Sequence, residues 1–287
     1  MHIILGATGH VGSSLAQALL ANNEPVTVVT RDAHKAEALR TKGARVAVVD
    51  VFDTSALHSV FMGGKRVFVL NPPAAPSTDT VAEERRSLRA ILSALEGCRL
   101  EKIVCESTYG AQPGDGIGDL GVLHDMEQAL RAGPTPLGVI RAAYYMSNWD
   151  SSLKTAREEG KVLSMYPRDF RLPMVAPHDL GQFAARLMLG PPESSGPHHV
   201  EGPERCTPGD VAQAFSEALQ RPVEVVVTPQ AQWLQAFKAQ GFSDAAARSY
   251  TEMTRITLEE LSEPEQPERG VIPLREYVAA LVKKSAG

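Results

Sequence analysis

The most constraining feature of this chain is its first twenty residues, MHIILGATGHVGSSLAQALL. His2–Leu5 is a short apolar run that predicts a buried strand. Gly6-Ala7-Thr8-Gly9-His10-Val11-Gly12 follows, and Val11, Leu15, Ala18 and Leu19 then recur at helical spacing. A glycine-rich turn between a strand and a helix is the context in which backbone approaches phosphate. Gly6 permits the sharp turn, Gly9 puts no side chain between the backbone and a pyrophosphate, and Gly12 lets the helix lie close on the strand. The start of the helix offers free N–H groups and the positive end of its dipole. Gly6, Thr8, Gly9, His10, Val11 and Gly12 are therefore the expected dinucleotide cradle, with the spacing GxxGxxG instead of GxGxxG.

Strands and helices alternate up to about residue 141. Val26–Thr30, Arg45–Val49, Arg66–Leu70, Lys102–Glu106 and Leu137–Arg141 predict strands two to six. Helices are expected over His34–Lys42, capped by Asp32 and stopped at Gly43, and over Thr54–Phe61, capped by Asp53. Two more are expected, from about Asp79 to Glu96 and from the Gly110–Gly121 loop to Ala132. Uniformly apolar strands separated by helices imply a parallel sheet covered on both faces. The expected fold is α/β, a Rossmann doubly wound parallel sheet over residues 1–149. Residues 150–287 are expected to form a smaller mixed α/β C-terminal substrate lobe packed at the strand ends. There the segments become short and proline-rich. A helix Tyr144–Arg157 leads in, and further helices are read at His178–Leu189, Val211–Leu219 (with Thr207-Pro208 at its start), Gln230–Gln240 and Leu274–Lys284. Val223–Val227 reads as a strand, and His198-His199 as part of another.

The chain has 287 residues and a formal charge of -5, which disfavours a nucleic-acid partner. No apolar run reaches the roughly 18 residues of a membrane span. With a strand expected from residue 3, no signal peptide is expected. Cys98, Cys105 and Cys206 show no CxxC pairing, so neither a disulfide framework nor a metal site is expected, and a cytoplasmic setting is.

In a sheet of this kind the ligand lies beyond the carboxyl ends of the strands, which here carry Thr30-Arg31, Asp50-Val51, Asn71-Pro72-Pro73 and Ser107-Thr108-Tyr109. An acid after the second strand reads a ribose hydroxyl, and a cation reads a 2′-phosphate. Arg31 holds that position, so NADP(H) is expected over NAD(H). Asp32 is available as an acid reader or as a helix cap. Asp50 and Val51 are expected at the adenine edge.

Taken together, these motifs resemble the NmrA-like group of atypical short-chain dehydrogenases. Within it the chain is similar to the bacterial NADPH-dependent quinone and dye reductases. The resemblance rests on GATGHVG, the Thr30-Arg31 pair, VFVLNPP, KIVCESTYGAQ, HDMEQAL, VIRAAYYMSNW, PHDLGQFAARLM and EGPERCTPGDVAQAFSEAL. It implies a Rossmann sheet with an NADP(H) site and a small substrate lobe. The group contains active reductases and also dinucleotide-binding regulators.

No tyrosine here has a lysine four residues on, so the usual acid of short-chain dehydrogenases is missing. Many NmrA-like proteins carry a lysine four residues before the helix glutamate, here Glu127, and that position is Leu123. His124 is the neighbouring titratable group. Tyr109 and His124 are the expected catalytic residues. Asn71, Pro72, Pro73, Ser107, Thr108 and Tyr144 are expected beside the cofactor, with either Tyr144 or Tyr145 on the nicotinamide ring and Glu127 in a structural role. The expected function is NADPH-dependent reduction of a small planar acceptor, a quinone or conjugated carbonyl compound, which can collect its proton from water. The alternative is an NADP(H)-sensing regulator that acts through a protein partner. A homodimer is compatible with either.

Overall fold

The computed structural model describes residues 1–260 and 264–285. The chain first alternates β1 (His2–Ile4), α1 (His10–Ala21), β2 (Val26–Thr30), α2 (Glu37–Thr41), β3 (Arg45–Val48), α3 (Thr54–Met62), β4 (Arg66–Val69), α4 (Thr80–Leu95), β5 (Lys102–Thr108), α5 (Asp119–Arg131) and β6 (Leu137–Ala142). Then come β7 (Tyr144–Tyr145), α6 (Ser152–Glu159), β8 (Lys161–Ser164), β9 (Leu172–Val175), α7 (Pro177–Leu189) and β10 (His198–Glu201). The last elements are β11 (Arg205–Cys206), α8 (Pro208–Leu219), β12 (Glu224–Val227), α9 (Trp233–Ala239), α10 (Asp244–Glu259), β13 (Glu268–Arg269) and α11 (Leu274–Lys284).

Eight strands form one sheet in the order β13-β10-β6-β5-β4-β1-β2-β3. Every pairing in it is parallel. The run 3-2-1-4-5-6 is that of the doubly wound nucleotide-binding sheet, whose order reverses between β1 and β4 and opens a crevice there. One face is covered by Leu15 and Leu19 of α1 with Leu180, Ala184 and Met188 of α7. The other is covered by Leu57 and Phe61 of α3, Leu88 and Ile91 of α4, and Val122 and Met126 of α5.

Local chemistry explains the element ends. Asp53 and Asp79 accept from the backbone N–H of Ala56 and Ala82 at 3.0 and 3.1 Å, capping α3 and α4. Thr207 and Asp210 make a reciprocal capping box at α8. The Asp32 carboxylate accepts from His34 N–H at 2.9 Å. The helix expected from His34 divides there into a 3-10 turn, His34–Ala36, and α2. Lys102, fully buried, donates to the carbonyls of Leu187 and Pro191 at 2.8 Å each and so satisfies the exit of α7.

One expectation needs correction. Tyr144–Arg157 is not one helix: Tyr144–Tyr145 pairs with Met174–Val175 of β9, a 3-10 turn spans Met146–Trp149, and α6 starts only at Ser152. Extended backbone sends adjacent side chains to opposite sides. Tyr144 thereby packs on Trp149 and Tyr166, and Tyr145 reaches Glu106 on β5. The chain after residue 150 also contributes to the main sheet and its cover. α7 packs on α1, β10 pairs with β6, and β13 pairs with β10. The approach of α7 to α1 is close: a Cβ on Gly181 would lie 2.4 Å from that of Ser14. What remains of the second lobe has its own core of Trp149, Val162, Leu172, Met174, Val211, Phe215, Leu274 and Val278.

Candidate functional site

The glycine turn has the geometry a phosphate cradle requires. Gly6 adopts φ +66°, and a Cβ there would meet Leu70 at 2.3 Å. Gly9 precedes α1, its N–H donates to Gly6 O at 2.9 Å, and no side chain caps the helix. A Cβ on Gly12 would lie 2.4 Å from the Gly6 carbonyl oxygen. The first-turn N–H groups of α1 have no intrahelical acceptor. Val11 is buried on the core side of α1, and His10 lines a smaller hollow with Ser13, Asp150 and His178. These two residues can therefore offer the cradle their backbone.

Next to the turn lies a cavity of about 750 Å³, lined by Gly6, Thr8, Arg31, Lys35, Asp50, Val51, Phe52, Pro72 and Pro73 among others. Asp50 accepts from Phe52 N–H at 2.9 Å and so shapes the turn after β3. The Arg86 guanidinium lies 4.2 Å from the centre of the half-exposed Phe52 ring. Sequence reasoning found Arg31 but missed Lys35, whose only signal was a second cation four residues on.

A second cavity, of about 410 Å³, opens at the ends of β4 and β5, and Pro73 lines both. Asn71 is buried. It donates to Glu84 O at 3.1 Å and accepts from Ser87 at 2.9 Å, tying the end of β4 to α4. Ser107 donates to Glu127 at 2.5 Å, and Arg141 clamps the same carboxylate with two bonds of 2.9 Å. Glu127 thus has the structural role expected of it. Thr108 and Tyr144 also line the cavity. Burial pushes the Tyr144 phenol up to about 12, against a smaller lowering by Asn148.

The two residues expected to be catalytic are placed differently. Tyr109 lines the cavity, but its hydroxyl donates to Glu201 at 3.0 Å. Glu201 is fully buried and also accepts from Arg205 and Arg269 at 3.0 and 2.8 Å. Burial first, and then the Glu201 carboxylate, hold the Tyr109 phenol well above its ordinary pKa. The hydroxyl is committed to an ion cluster. His124 does not line the cavity, and its buried Nδ1 has no hydrogen-bond partner. α5 points Leu120 and Leu123 into the cavity, and the next residue lies about 100° further round the helix.

Acids occupy the cavity instead. Glu106 on β5 is 3% exposed and bonded to Tyr145, and Glu84 on α4 faces Asp119 at the start of α5. Burial raises Glu106 to about 7 against the lowering by Tyr145. Burial, and then Asp119, raise Glu84 to about 8. The signal that could have found Glu106 is an acid inside the apolar run KIVCEST. Among the described residues there is no cluster able to hold a metal ion and no helix long and apolar enough to cross a membrane.

The sheet order, the glycine turn and the paired cavities define a dinucleotide-binding fold of the Rossmann class. The sequence matches the NmrA-like family over residues 2–266, and the chain belongs to that family. The NAD(P)H azoreductase of Xenophilus azovorans is 23% identical over 253 residues, covering 88% of this chain and 86% of its own. Quinone oxidoreductase 2 of Escherichia coli K12 is 22% identical over 250 residues, covering 86% and 84%. The triphenylmethane reductase of Citrobacter sp. in complex with NADP(H) superposes with a TM-score of 0.77, at 18% identity, over 99% of each chain. The relatives named here are NAD(P)H-dependent reductases, and the structural likeness speaks for the fold.

Proposed function

We propose that this protein is an NADPH-dependent reductase of a small, planar, uncharged acceptor such as a quinone or conjugated carbonyl compound. The observation that carries this reading is that the two cavities meet at Pro73. One has glycine backbone and two cations, and the other has aromatic and carboxyl groups. The residues present fit the cofactor. Gly6 and Gly12 let the turn and α1 pack where a Cβ would strike Leu70 or the Gly6 carbonyl, and Gly9 puts no side chain between the start of α1 and a pyrophosphate. Val51 and Phe52 offer an apolar edge to adenine, and Arg31 with Lys35 offers charge to a 2′-phosphate. Bound NADPH would supply a hydride to the acceptor. The strand ends would hold the two partners next to each other, in reach for hydride transfer.

The cations give a first test. Arg31→Ala and Lys35→Ala are each expected to weaken NADPH binding about tenfold and to leave NADH nearly unchanged, because each removes one charge-assisted contact to the 2′-phosphate. Fluorescence titration of both nucleotides at fixed salt measures this. Equal losses for the two nucleotides would take both residues out of that role.

Acceptor charge gives a second. The acceptor cavity carries Glu84, Glu106 and Asp119 and, among the described residues, no Lys, Arg or His. An anionic acceptor would find no counter-ion there and would face any of these acids that ionised. NADPH oxidation with menadione should therefore exceed that with a naphthoquinone sulfonate by about tenfold or more in kcat/KM. A preference for the sulfonate would contradict the acceptor class. Firm NADPH binding with no turnover on any quinone, dye or enone would favour the sensor function instead.

A further inference from the structure

The hydroxyls at this site are mostly committed. Ser107 is held by Glu127 and Tyr109 by Glu201. Tyr145 and Glu106 are different, since they bond to each other and both line the acceptor cavity. Glu106 Oε1 accepts from the Tyr145 hydroxyl, and its Oε2 is buried without a hydrogen-bond partner. A carboxylate with one hydrogen bond and no cation beside it is costly to bury, so the group retains its proton.

We propose that Tyr145 and Glu106 are the proton-delivery pair of this site, with Tyr145 as the catalytic residue that touches the acceptor oxygen and Glu106 as the positioning residue that reprotonates it. This rests on the reductase reading above. A quinone that has accepted a hydride is a hydroquinone monoanion. Its oxygen takes the phenolic proton of Tyr145 as that hydroxyl turns from Glu106 to the acceptor, a proton on Glu106 Oε1 passes to the Tyr145 oxygen along the reversed hydrogen bond, and the Glu106 carboxylate regains a proton from water. The sum is quinone, NADPH and one proton giving hydroquinone and NADP+. Tyr145 alone would be a poor acid, since burial and then Glu106 hold its phenol well above its usual pKa. Coupled to a carboxylic acid, it only has to pass a proton on.

Other titratable groups face the pair. Tyr144 adjoins it in sequence, Tyr109 follows on the β5 side, Tyr166 and Asp119 enter from beyond β8 and from α5, and Glu84 enters from α4. The Glu84–Asp119 pair also holds a proton near neutrality and needs its own control. Below about pH 7 Glu106 is protonated and the pair is loaded, and above it the carboxylate can only accept.

The test is NADPH oxidation with menadione across the neutral pH range, for the wild type, Y145F, E106Q and E84Q. Wild-type kcat is expected to fall about tenfold per pH unit above neutrality. Y145F and E106Q should lower kcat in mildly acid buffer about a hundredfold and lose that pH limb, while E84Q keeps it. A second readout needs neither NADPH nor acceptor. The infrared difference between wild type and E106Q should contain the carbonyl stretch of a protonated carboxylic acid, which disappears as pH rises through about 7. Turnover whose pH limb survives in E106Q, or disappears in E84Q instead, would overturn the proposal, as would a Glu106 band absent even in acid. Absence of turnover in the wild type would refute the reductase reading, and the proposal with it.

Discussion

Glu201→Gln is expected to destabilise the protein by about 3–5 kcal/mol and to lower its melting temperature by roughly 10 °C. Glu201 is fully buried on β10 and is the shared acceptor of Tyr109, Arg205 and Arg269. Gln keeps the shape but removes the charge. It leaves the largely buried Arg205 and the half-exposed Arg269 facing a neutral amide, and the loss of the partner of Arg205 is the costly part. The effect should also reach the acceptor cavity, because Tyr109 loses its anchor. Thermal denaturation of the purified variant measures the loss. A shift under about 2 °C would mean that solvent reaches the cluster and screens it.

Gly12→Val should abolish useful cofactor binding, with NADPH affinity falling about a hundredfold or more. The obstacle is backbone. The new Cβ would lie 2.4 Å from the Gly6 carbonyl oxygen and 2.9 Å from the Ala7 Cα. Neither atom can rotate away, so α1 would have to lift from β1, and overpacking of this kind costs about 1–3 kcal/mol. The lifted helix would carry its N–H groups away from the cradle. Gly43→Ala is the informative contrast: Gly43, unlike Gly12, has a positive φ, but its Cβ direction is open, so the substitution should cost some stability and leave NADPH affinity alone. If Gly12→Val bound NADPH normally, the cradle would lie elsewhere.

The first half of the chain was legible because its signals are local. GATGHVG, the β-branched strands and the cap at Asp53 each act within a few residues, as does the cap at Thr207 in the second half, and the structure places these elements as read. Of the cofactor-side candidates, those at strand ends, from Arg31 to Tyr144, line two cavities that share Pro73 for the same reason, since strand ends converge in a parallel sheet. What was not legible depends on partners distant in sequence. Tyr109 and Glu201 are 92 residues apart, and only their contact reveals that the Tyr109 hydroxyl is already occupied. Tyr145 and Glu106 are 39 residues apart, and the intended helix over Tyr144–Arg157 would have hidden their meeting. Helix α10 was not picked out because its register shows only against its partners: Ser243 caps it and donates to Thr78 O at 2.6 Å, while Met253 and Thr257 reach the acceptor cavity. Lys35 lay in plain view, but its place appears only when the 3-10 turn puts it on the same cavity as Arg31.

The most direct test of the central claim is a crystal structure of the protein with NADPH. The account predicts the pyrophosphate against the N–H groups after Gly9, the 2′-phosphate between Arg31 and Lys35, and the nicotinamide ring beyond Pro73 within reach of Tyr145. A nicotinamide turned away from the cavity of Glu106 and Tyr145, or a dinucleotide bound outside the glycine turn, would contradict it.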